Sequence, residues 1–546
     1  MAATFMDLHA LISLRELVWL WIVAPTVLLA GVVLTLRLRA PQFTRLKAAF
    51  QGLGAEDAST PGTMPPAAAA ALSIAAAHGA AAAIGAATAV ALGGPGALPW
   101  VWLLAFFTAP LRVGEALLAR TAPAGGAEKG MPGSLAARLV RDGGWKPVGF
   151  VLVVLVALSA FAFVGGVHGE ALRELATGLV PDGAAYLVAG CAVLSAAMGL
   201  AGPKRVGALA GYVVLVALLL VCGVALLAAL SQPERALPVF LRAVTDVFSG
   251  AAQTGAWTGA FAGEIARAAL VYAVAPLASA SGLTGALDAQ ARAKSTRGQA
   301  ATALLGPLAY ALTSSLLVMA LAATGAFFTA REETRPLSEL RIYETEFETA
   351  SQRLEEDRLR TGFMRVRAGD LRDLSLRFAT ERSIIVEPHF TYYDGPADVA
   401  FGVEAGVVTR MMRPDHFALK DIPTVQAQRV MVRGVMTPIN GSLLAVAASK
   451  APGGRVAAQT LLAALALLAA IAAGALAIGV RVTVARVSTE QIGMAASLLP
   501  AAGLALSAWG IAPWLPAIGA IIAGLTATLV AIVLVVRSGE IAKLWK

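Results

Sequence analysis

Cysteine is scarce in this sequence: there are two in 546 residues, and both Cys191 and Cys222 fall inside apolar runs. A disulfide-stabilised fold is therefore not expected. The sequence also lacks a glycine-rich phosphate-binding loop and a nucleophile with a suitably spaced base, so neither an enzyme nor a cofactor is expected. Asp7 and Glu16 precede the first apolar run, and no small-residue cleavage site stands out, so the N-terminus is not a clear signal peptide.

Charged residues are also few, at 14% of the chain, whereas 58% of residues are hydrophobic and the mean hydropathy is +0.73. This composition is typical of a polytopic protein in a lipid bilayer. The net charge of +9 would suggest a nucleic-acid partner in a soluble protein. Here the basic residues cluster in loops between apolar runs, as the positive-inside rule predicts, and no nucleic-acid partner is expected.

Eleven apolar runs are interpreted as membrane spans, since a helix needs about 20 residues to cross a bilayer. The expected spans are 18–36, 66–92, 97–118, 147–167, 184–200, 206–230, 256–283, 301–327, 456–480, 492–506 and 513–536. Every strongly basic loop then falls on one side. This pattern predicts a multi-pass protein of the cytoplasmic membrane, with its N-terminus outside and its C-terminus in the cytoplasm.

One segment, 330–450, differs in character. It holds about half of the 34 acidic residues and contains no run that could span a bilayer. The charged part 331–360 predicts a helix, and the short alternating runs in 363–408 predict strands. We therefore expect an inserted extracytoplasmic α+β domain at 330–450, between membrane cores at 1–329 and 451–546. It is a candidate for binding a protein partner.

Histidine and acidic residues within that segment raise the question of a metal site. The candidates are Glu387, His389, Asp394 and His416. Their spacing fits no strong metal-binding pattern, so no metal is expected.

The stretch from Thr63 to Arg120 carries the most specific motif. Two apolar runs flank Gly93-Gly94-Pro95-Gly96, which can continue neither helix and predicts a tight turn. The stretch resembles the alanine/glycine:cation symporter family, the sodium-coupled amino-acid carriers. The residues that carry the resemblance are Thr88, the run Ala91-Leu92-Gly93-Gly94-Pro95-Gly96-Ala97, Trp100, Trp102 and the pair Glu115-Ala116.

The resemblance implies an all-α LeuT-type fold, with two inverted repeats of five helices after one leading helix. It also implies that solute and sodium bind at two broken helices near the bilayer midplane. The residues of this chain placed on that pathway are His78, Gly79, Ala80, Gly85, Thr88, Tyr272 and Ala275.

The chain departs from the family where those helices break. The family's Gly-Thr-Gly-Asn motif is replaced by Gly79-Ala80-Ala81-Ala82, which favours a continuous helix because alanine is the better helix former. The family's Ser-Asn-Glu-Ala-Gly is replaced by residues 271–275, Val-Tyr-Ala-Val-Ala. In the ninth span, Thr460 near the outer end is the only hydroxyl. The oxygen ligands that sodium needs are therefore largely missing.

Several side chains remain candidates for coupling and for charge pairing. His78 could carry a coupling proton in place of sodium, or could simply bond a backbone carbonyl. Tyr272 could hydrogen-bond the solute or His78, or could fill the cavity left by the missing polar side chains. Glu264 and Arg267 are spaced to pair on one helical face, and so are Arg112 and Glu115.

Two functions remain open from the sequence. The first is a secondary transporter of a small neutral amino acid or similar solute, working by alternating access with the family's sodium coupling lost or altered. The second is a transport-inactive relative that acts as a membrane scaffold or sensor through its outer domain. Family resemblance alone does not decide between them.

Overall fold

A computed structural model describes most of the chain, in two units. The described residues of the helical part are 8–93, 95–121, 133–245, 282–326, 440–512 and 514–546. Those of the β-sheet part are 331–337, 340–344, 360–371, 376–379, 386–392, 395–397, 399–404, 406–412 and 430–436. One compact unit comprises Ala10–Ala326 with Asn440–Lys546, and the other comprises Phe327–Ile439 with Met1–His9.

The described residues of the first unit form helices, and two π-helical turns join pairs of them. Its helices are α1 (Leu8–Val18), α2 (Ala24–Arg37), α3 (Pro41–Thr44), α4 (Leu46–Leu53), α5 (Pro66–Gly93), α6 (Ala97–Arg120), α7 (Leu135–Arg141), α8 (Lys146–Phe163), α9 (Gly169–Leu179), α10 (Ala184–Ala201), α11 (Pro203–Ser231), α12 (Pro233–Thr245), α13 (Thr284–Ala289), α14 (Thr296–Thr302), α15 (Leu305–Ala323), α16 (Asn440–Lys450), α17 (Arg455–Ala485), α18 (Glu490–Ala496), α19 (Leu499–Ala508), α20 (Leu515–Val536) and α21 (Ser538–Trp545). Widened π-helical turns at Trp19–Val23 and Val164–His168 join α1 to α2 and α8 to α9.

Ten helical segments among the described residues are long and apolar enough to cross a membrane. They are Leu14–Arg37, Pro66–Ala91, Ala97–Arg120, Lys146–Leu179, Pro181–Ala201, Leu209–Ser231, Thr296–Ala323, Arg455–Ala485, Glu490–Ala508 and Leu515–Val536. Each overlaps one of the expected spans. The remaining expected span, 256–283, lies almost wholly outside the described residues. The polytopic membrane class is confirmed, whereas the LeuT-type repeat stays a prediction.

Helices α5 and α17 form the centre of this unit. In each, 89% of the most apolar stretch is buried, and the two pack along each other. Both consist largely of alanine and glycine, whose small side chains let helix backbones approach closely where lipid supplies no hydrophobic driving force. The centre is therefore made of close backbone packing rather than of large side chains.

The turn predicted at Gly93-Gly94-Pro95-Gly96 is confirmed where the structure describes it. Helix α5 ends at Gly93 and α6 begins at Ala97, and Leu98 N–H donates to the Pro95 carbonyl at 3.1 Å. Gly94 lies outside the described residues.

The second unit is mainly an antiparallel β-sheet. Its strands are β1 (Arg331–Pro336), β2 (Arg341–Glu344), β3 (Gly362–Arg367), β4 (Asp370–Leu371), β5 (Leu376–Ala379), β6 (Val386–Tyr392), β7 (Gly395–Pro396), β8 (Val399–Glu404), β9 (Val407–Met412) and β10 (Val430–Met436). The large sheet has the order β1-β10-β6-β4-β3-β8-β9, with β7 paired to β6, and β2 pairs separately with β5.

The prediction of a helix over 331–360 is wrong for the described part of that segment that forms strands β1 and β2. Strand β1 pairs with β10 along its whole length. Its backbone hydrogen bonds are therefore made with a strand far along the chain, which local propensity cannot reveal. Ile342 of β2 is buried in one core with Phe390 and Phe401. The strand expected at 363–367 is confirmed.

Candidate functional site

Helix α5 is broken at Gly79, where the backbone has φ 45° and ψ −174°. The continuous helix expected from Gly79-Ala80-Ala81-Ala82 is therefore wrong. A positive φ is readily adopted only by glycine, and a single glycine suffices to interrupt a run of good helix formers. Tertiary packing at this residue outweighs the alanine propensity of about 1 kcal/mol that favoured continuity.

The break divides α5 into half-helices at 66–78 and 80–93. The last carbonyls of the first half and the first N–H groups of the second lack partners within their own helix. Such groups at a broken membrane helix are the usual means of binding the ions and anionic groups of small solutes. At Gly79 the chain therefore has free backbone groups of the kind that the resemblance implied, without the polar side chains of that motif.

The imidazole of His168 occupies the space beside Gly79. A Cβ atom added to Gly79 would collide with Cε1 and Nδ1 of that ring. His168 is fully buried and lies edge-on to Phe163 with ring centroids 5.5 Å apart. Among the described residues, neither ring nitrogen has a hydrogen-bond partner. Glycine is therefore required at position 79 both for its φ and for the room it leaves.

The π-helical turn at Val164–His168 positions this histidine. Close packing holds the turn against two neighbouring helices: a Cβ at Gly165 would collide with Gly503, and one at Gly166 would lie 2.7 Å from the Leu515 carbonyl. Ser507 donates to the Gly165 carbonyl. Sequence reasoning missed His168 because the expected span ended at 167. The available signal was a histidine that follows a Gly-Gly pair inside an otherwise apolar run.

His78 precedes the break and faces a different helix. Its Nε2 lies 3.2 Å from Thr313 Oγ1, and its ring meets Tyr310 edge-on at 5.5 Å. The Thr313 hydroxyl donates to the Ala309 carbonyl at 2.7 Å, so the hydroxyl accepts from His78 Nε2–H. His78 Nδ1 is then an acceptor, and it is a buried ring nitrogen without a hydrogen bond.

The other first-helix candidates lie in the second half of α5. Ala80 and Thr88 are buried, and Gly85 is buried as well. Thr88 Oγ1 donates to the Ile84 carbonyl at 2.9 Å, within its own helix. This half therefore presents mainly backbone to its surroundings.

A second group of polar side chains surrounds Glu115 in α6. Its Oε1 accepts from Gly285 N–H at 2.6 Å and its Oε2 accepts from Thr284 Oγ1 at 3.2 Å. The carboxylate thereby caps the N-terminus of α13, where negative charge is favoured. On the same short helix, Asp288 Oδ2 accepts from Ser73 Oγ of α5 at 3.3 Å.

Arg112 does not form the direct pair with Glu115 that the sequence spacing predicted. Its guanidinium is buried, and none of its three nitrogens is hydrogen-bonded to a residue that the structure describes. A Cβ at Gly306 would lie 2.5 Å from Nη1, so that glycine leaves room for the group. Arg112 instead balances the charges of Glu115 and Asp288 at longer range, because Glu115 is already engaged by α13.

Asp288 lies beyond the ten apolar helices yet is fully buried. Burial raises the pKa of its carboxyl to about 7, an effect that the nearby Arg112 charge partly offsets. Arg120 donates to the Asp288 carbonyl at 3.2 Å and to the Ala291 carbonyl at 2.9 Å. Ser73, Arg112, Glu115, Arg120 and Asp288, which we call the inner charge cluster, thus connect α5, α6 and α13.

Most of the remaining candidates cannot be placed, because they lie outside the described residues. Glu264, Arg267, Tyr272 and Ala275 lie outside the described residues, as do Asp394 and His416. His389 Nδ1 lies 3.2 Å from Asp370 Oδ1. In the parts of the chain that the structure describes, no three His, Cys, Asp or Glu side chains are grouped as metal ligands would be.

Comparison with known families identifies the protein class. The family model described as the sodium:alanine symporter family matches residues 5–319, more than half of the chain. The search of curated proteins found no match to this chain. The match includes the Gly-Gly-Pro-Gly turn, the broken helix and the π-helical turn at Val164–His168, and ten apolar helices are found among the described residues. The chain belongs to the sodium:alanine symporter family.

Proposed function

We propose that the protein is a secondary transporter of a small neutral amino acid or similar solute across the cytoplasmic membrane. Transport works by alternating access, with the family's sodium coupling lost or altered. The observation that carries this proposal is the break at Gly79 within a helix that is otherwise buried and rich in alanine. A scaffold would gain stability from a continuous helix, whereas a carrier needs the free backbone groups that the break supplies.

The surroundings of the break favour a small solute. Ala77, Ala80 and Ala82 are buried beside it and contribute only methyl groups. The free backbone N–H and carbonyl groups suit a carboxylate and an ammonium at short separation, as in glycine or alanine. Apart from His78, the polar side chains of α5 are the small Ser73 and Thr88, which are bonded to Asp288 and to the Ile84 carbonyl.

Altered coupling is supported by the scarcity of oxygen ligands. Sodium is a hard cation that needs several oxygens, and the alanines at 80–82 supply only backbone groups. Helix α17 is continuous, and its hydroxyls are Thr460 and Thr483, near its two ends. His78, whose Nδ1 is available, is a candidate for carrying a proton instead.

The test is uptake of radiolabelled glycine and alanine by proteoliposomes. It is run under an inward sodium gradient, an inward proton gradient and no gradient. Uptake driven by protons, and reduced about tenfold or more by His78→Gln but not by the control His389→Gln, supports the proposal.

Two results would count against the proposal. Uptake that depends on sodium alone would show that coupling is unchanged. No uptake under any gradient, from protein that is monodisperse and thermally stable, would favour the scaffold function through the β-sheet unit.

A further inference from the structure

We propose that His168 is a ligand of the solute carboxylate at the break in α5, and that it takes up a proton from solution when the carboxylate binds. This inference rests on the proposed transport function and deepens it. No covalent bond is made or broken, and the proton leaves again when the solute is released. Three features of the described residues carry it: an unpartnered imidazole, an anion-binding helix end and a surrounding without charge.

The first feature is that both nitrogens of a completely buried imidazole lack a hydrogen bond. Buried polar side chains are nearly always paired, because leaving one unpaired costs about 1–3 kcal/mol. A π-helical turn places the ring, and such turns occur frequently at functional sites. A ligand that bonds the ring would recover the lost energy.

The second feature is the direction in which the ring points. Its Cε1 and Nδ1 edge faces the Cα of Gly79, at the start of the half-helix 80–93. That half-helix has 14 residues by the bounds of α5, and its first N–H groups and dipole favour a negative group. A carboxylate placed there would accept from these N–H groups and from the imidazole together.

The third feature is that no charged group of the described elements packed on the turn faces the ring. Helices α19 and α20 carry no titratable side chain, and α8 has only Lys146 at its far end. On α9, Arg173 is paired with Glu170, and Glu174 has an interaction of its own. On α5 the only titratable side chain is His78, which is turned to Thr313.

The protonation state of the ring follows from this surrounding. Without a counter-ion, a charged imidazolium in the membrane interior is costly, so the ring is neutral in the empty protein. A bound carboxylate supplies the missing counter-ion and favours the charged form. Solute binding and proton binding therefore strengthen each other, so affinity rises as the pH falls.

His168 differs in this respect from His78. The latter already donates to Thr313 and lies edge-on against Tyr310, so its ring is held in place without a ligand. His168 has an apolar ring contact with Phe163 and no hydrogen bond to a described residue. The two histidines are therefore separable by mutation.

The test is isothermal titration of the full-length protein in detergent with alanine, between pH 5.5 and 8.5, in buffers with different heats of ionisation. The wild-type protein is expected to take up about one proton per solute, and its affinity to fall about tenfold per pH unit in the upper part of the range. Alaninamide, which lacks the carboxylate, should bind without proton uptake.

Three variants complete the experiment. His168→Gln keeps a hydrogen-bond donor but cannot titrate, so proton uptake and the pH dependence should both vanish. His168→Asn serves as a second substitution if the first lowers thermal stability, and His389→Gln is the matched control that should behave as wild type.

The inference is overturned if wild type binds alanine without proton uptake, or if both His168 variants retain that uptake. Either result leaves the transport proposal standing when proteoliposomes still accumulate solute. If wild type neither binds alanine nor transports it, the transport proposal fails as well.

Discussion

Helices α5 and α17 are alike in composition and burial, yet one is broken and the other is continuous. Both are alanine-rich, and 89% of the apolar stretch is buried in each. The glycines of α17 serve close packing: a Cβ at Gly474 would meet the Met198 sulfur at 2.6 Å, and one at Gly479 would lie 3.2 Å from Leu283. Gly79 instead adopts a positive φ beside His168. The break is thus specified by one backbone angle and one side chain from another helix, not by composition.

The largest effect is expected when the break itself is removed. In Gly79→Ala, the new Cβ collides with His168, and the positive φ is strained by about 1–3 kcal/mol. The half-helices should join or move apart, so that uptake in proteoliposomes falls at least about a hundredfold. Gly479→Ala in α17 is the matched control, since its new Cβ would come no nearer than 3.2 Å to Leu283, and this variant should retain most activity.

Equal loss of uptake in both glycine variants would contradict this account. It would mean that any added methyl group in the central pair of helices is disruptive. Thermal unfolding of both variants in detergent separates that outcome from simple misfolding.

The difference between α5 and α17 is tested further by weakening the polar contacts that hold the first half of α5. That half is bonded through Ser73 to the inner charge cluster. Glu115→Gln removes the charge that caps α13 and leaves Arg112 with less compensation. We expect the free energy of unfolding to fall by about 2–4 kcal/mol, which is measured as a lower thermal midpoint.

The double variant Glu115→Gln, Arg112→Leu tests the cause. If charge balance is the reason, removing both charges should recover part of the stability lost in the single variant. A double variant less stable than the single would contradict the argument. Glu490→Gln, at an exposed ion pair with Arg481, is the control.

The smallest effect is expected from the pH response of Asp288. Its folded-state pKa is raised from 3.8 to about 7 by burial, so its stabilising contribution is complete below about pH 4 and is lost as the pH rises through 7. Between pH 5.5 and 7 we expect the free energy of unfolding to fall by about 1.6 kcal/mol. Asp288→Asn should flatten that part of the thermal midpoint profile, and an unchanged profile would contradict the assignment.

Patterns that depend on local chemistry were predictable from the sequence. Apolar runs located the ten helices because bilayer thickness fixes their length, and Gly93-Gly94-Pro95-Gly96 ended a helix because proline and glycine cannot continue it. Features that depend on distant partners were not predictable in this way. The φ of Gly79 is set against His168, and strand β1 exists because β10 pairs with it.

The widened turn at Val164–His168 also sets the helical phase of everything that follows it. A π-helical turn holds one more residue than an α-helical turn would, and one residue corresponds to about 100° of rotation. If the same residues wound as an ordinary α-helix, the imidazole would turn away from Gly79 by about this angle. The composition of the span would be identical, yet the side chain would face another part of the protein. In this chain, the length of one helical turn decides what stands beside the break.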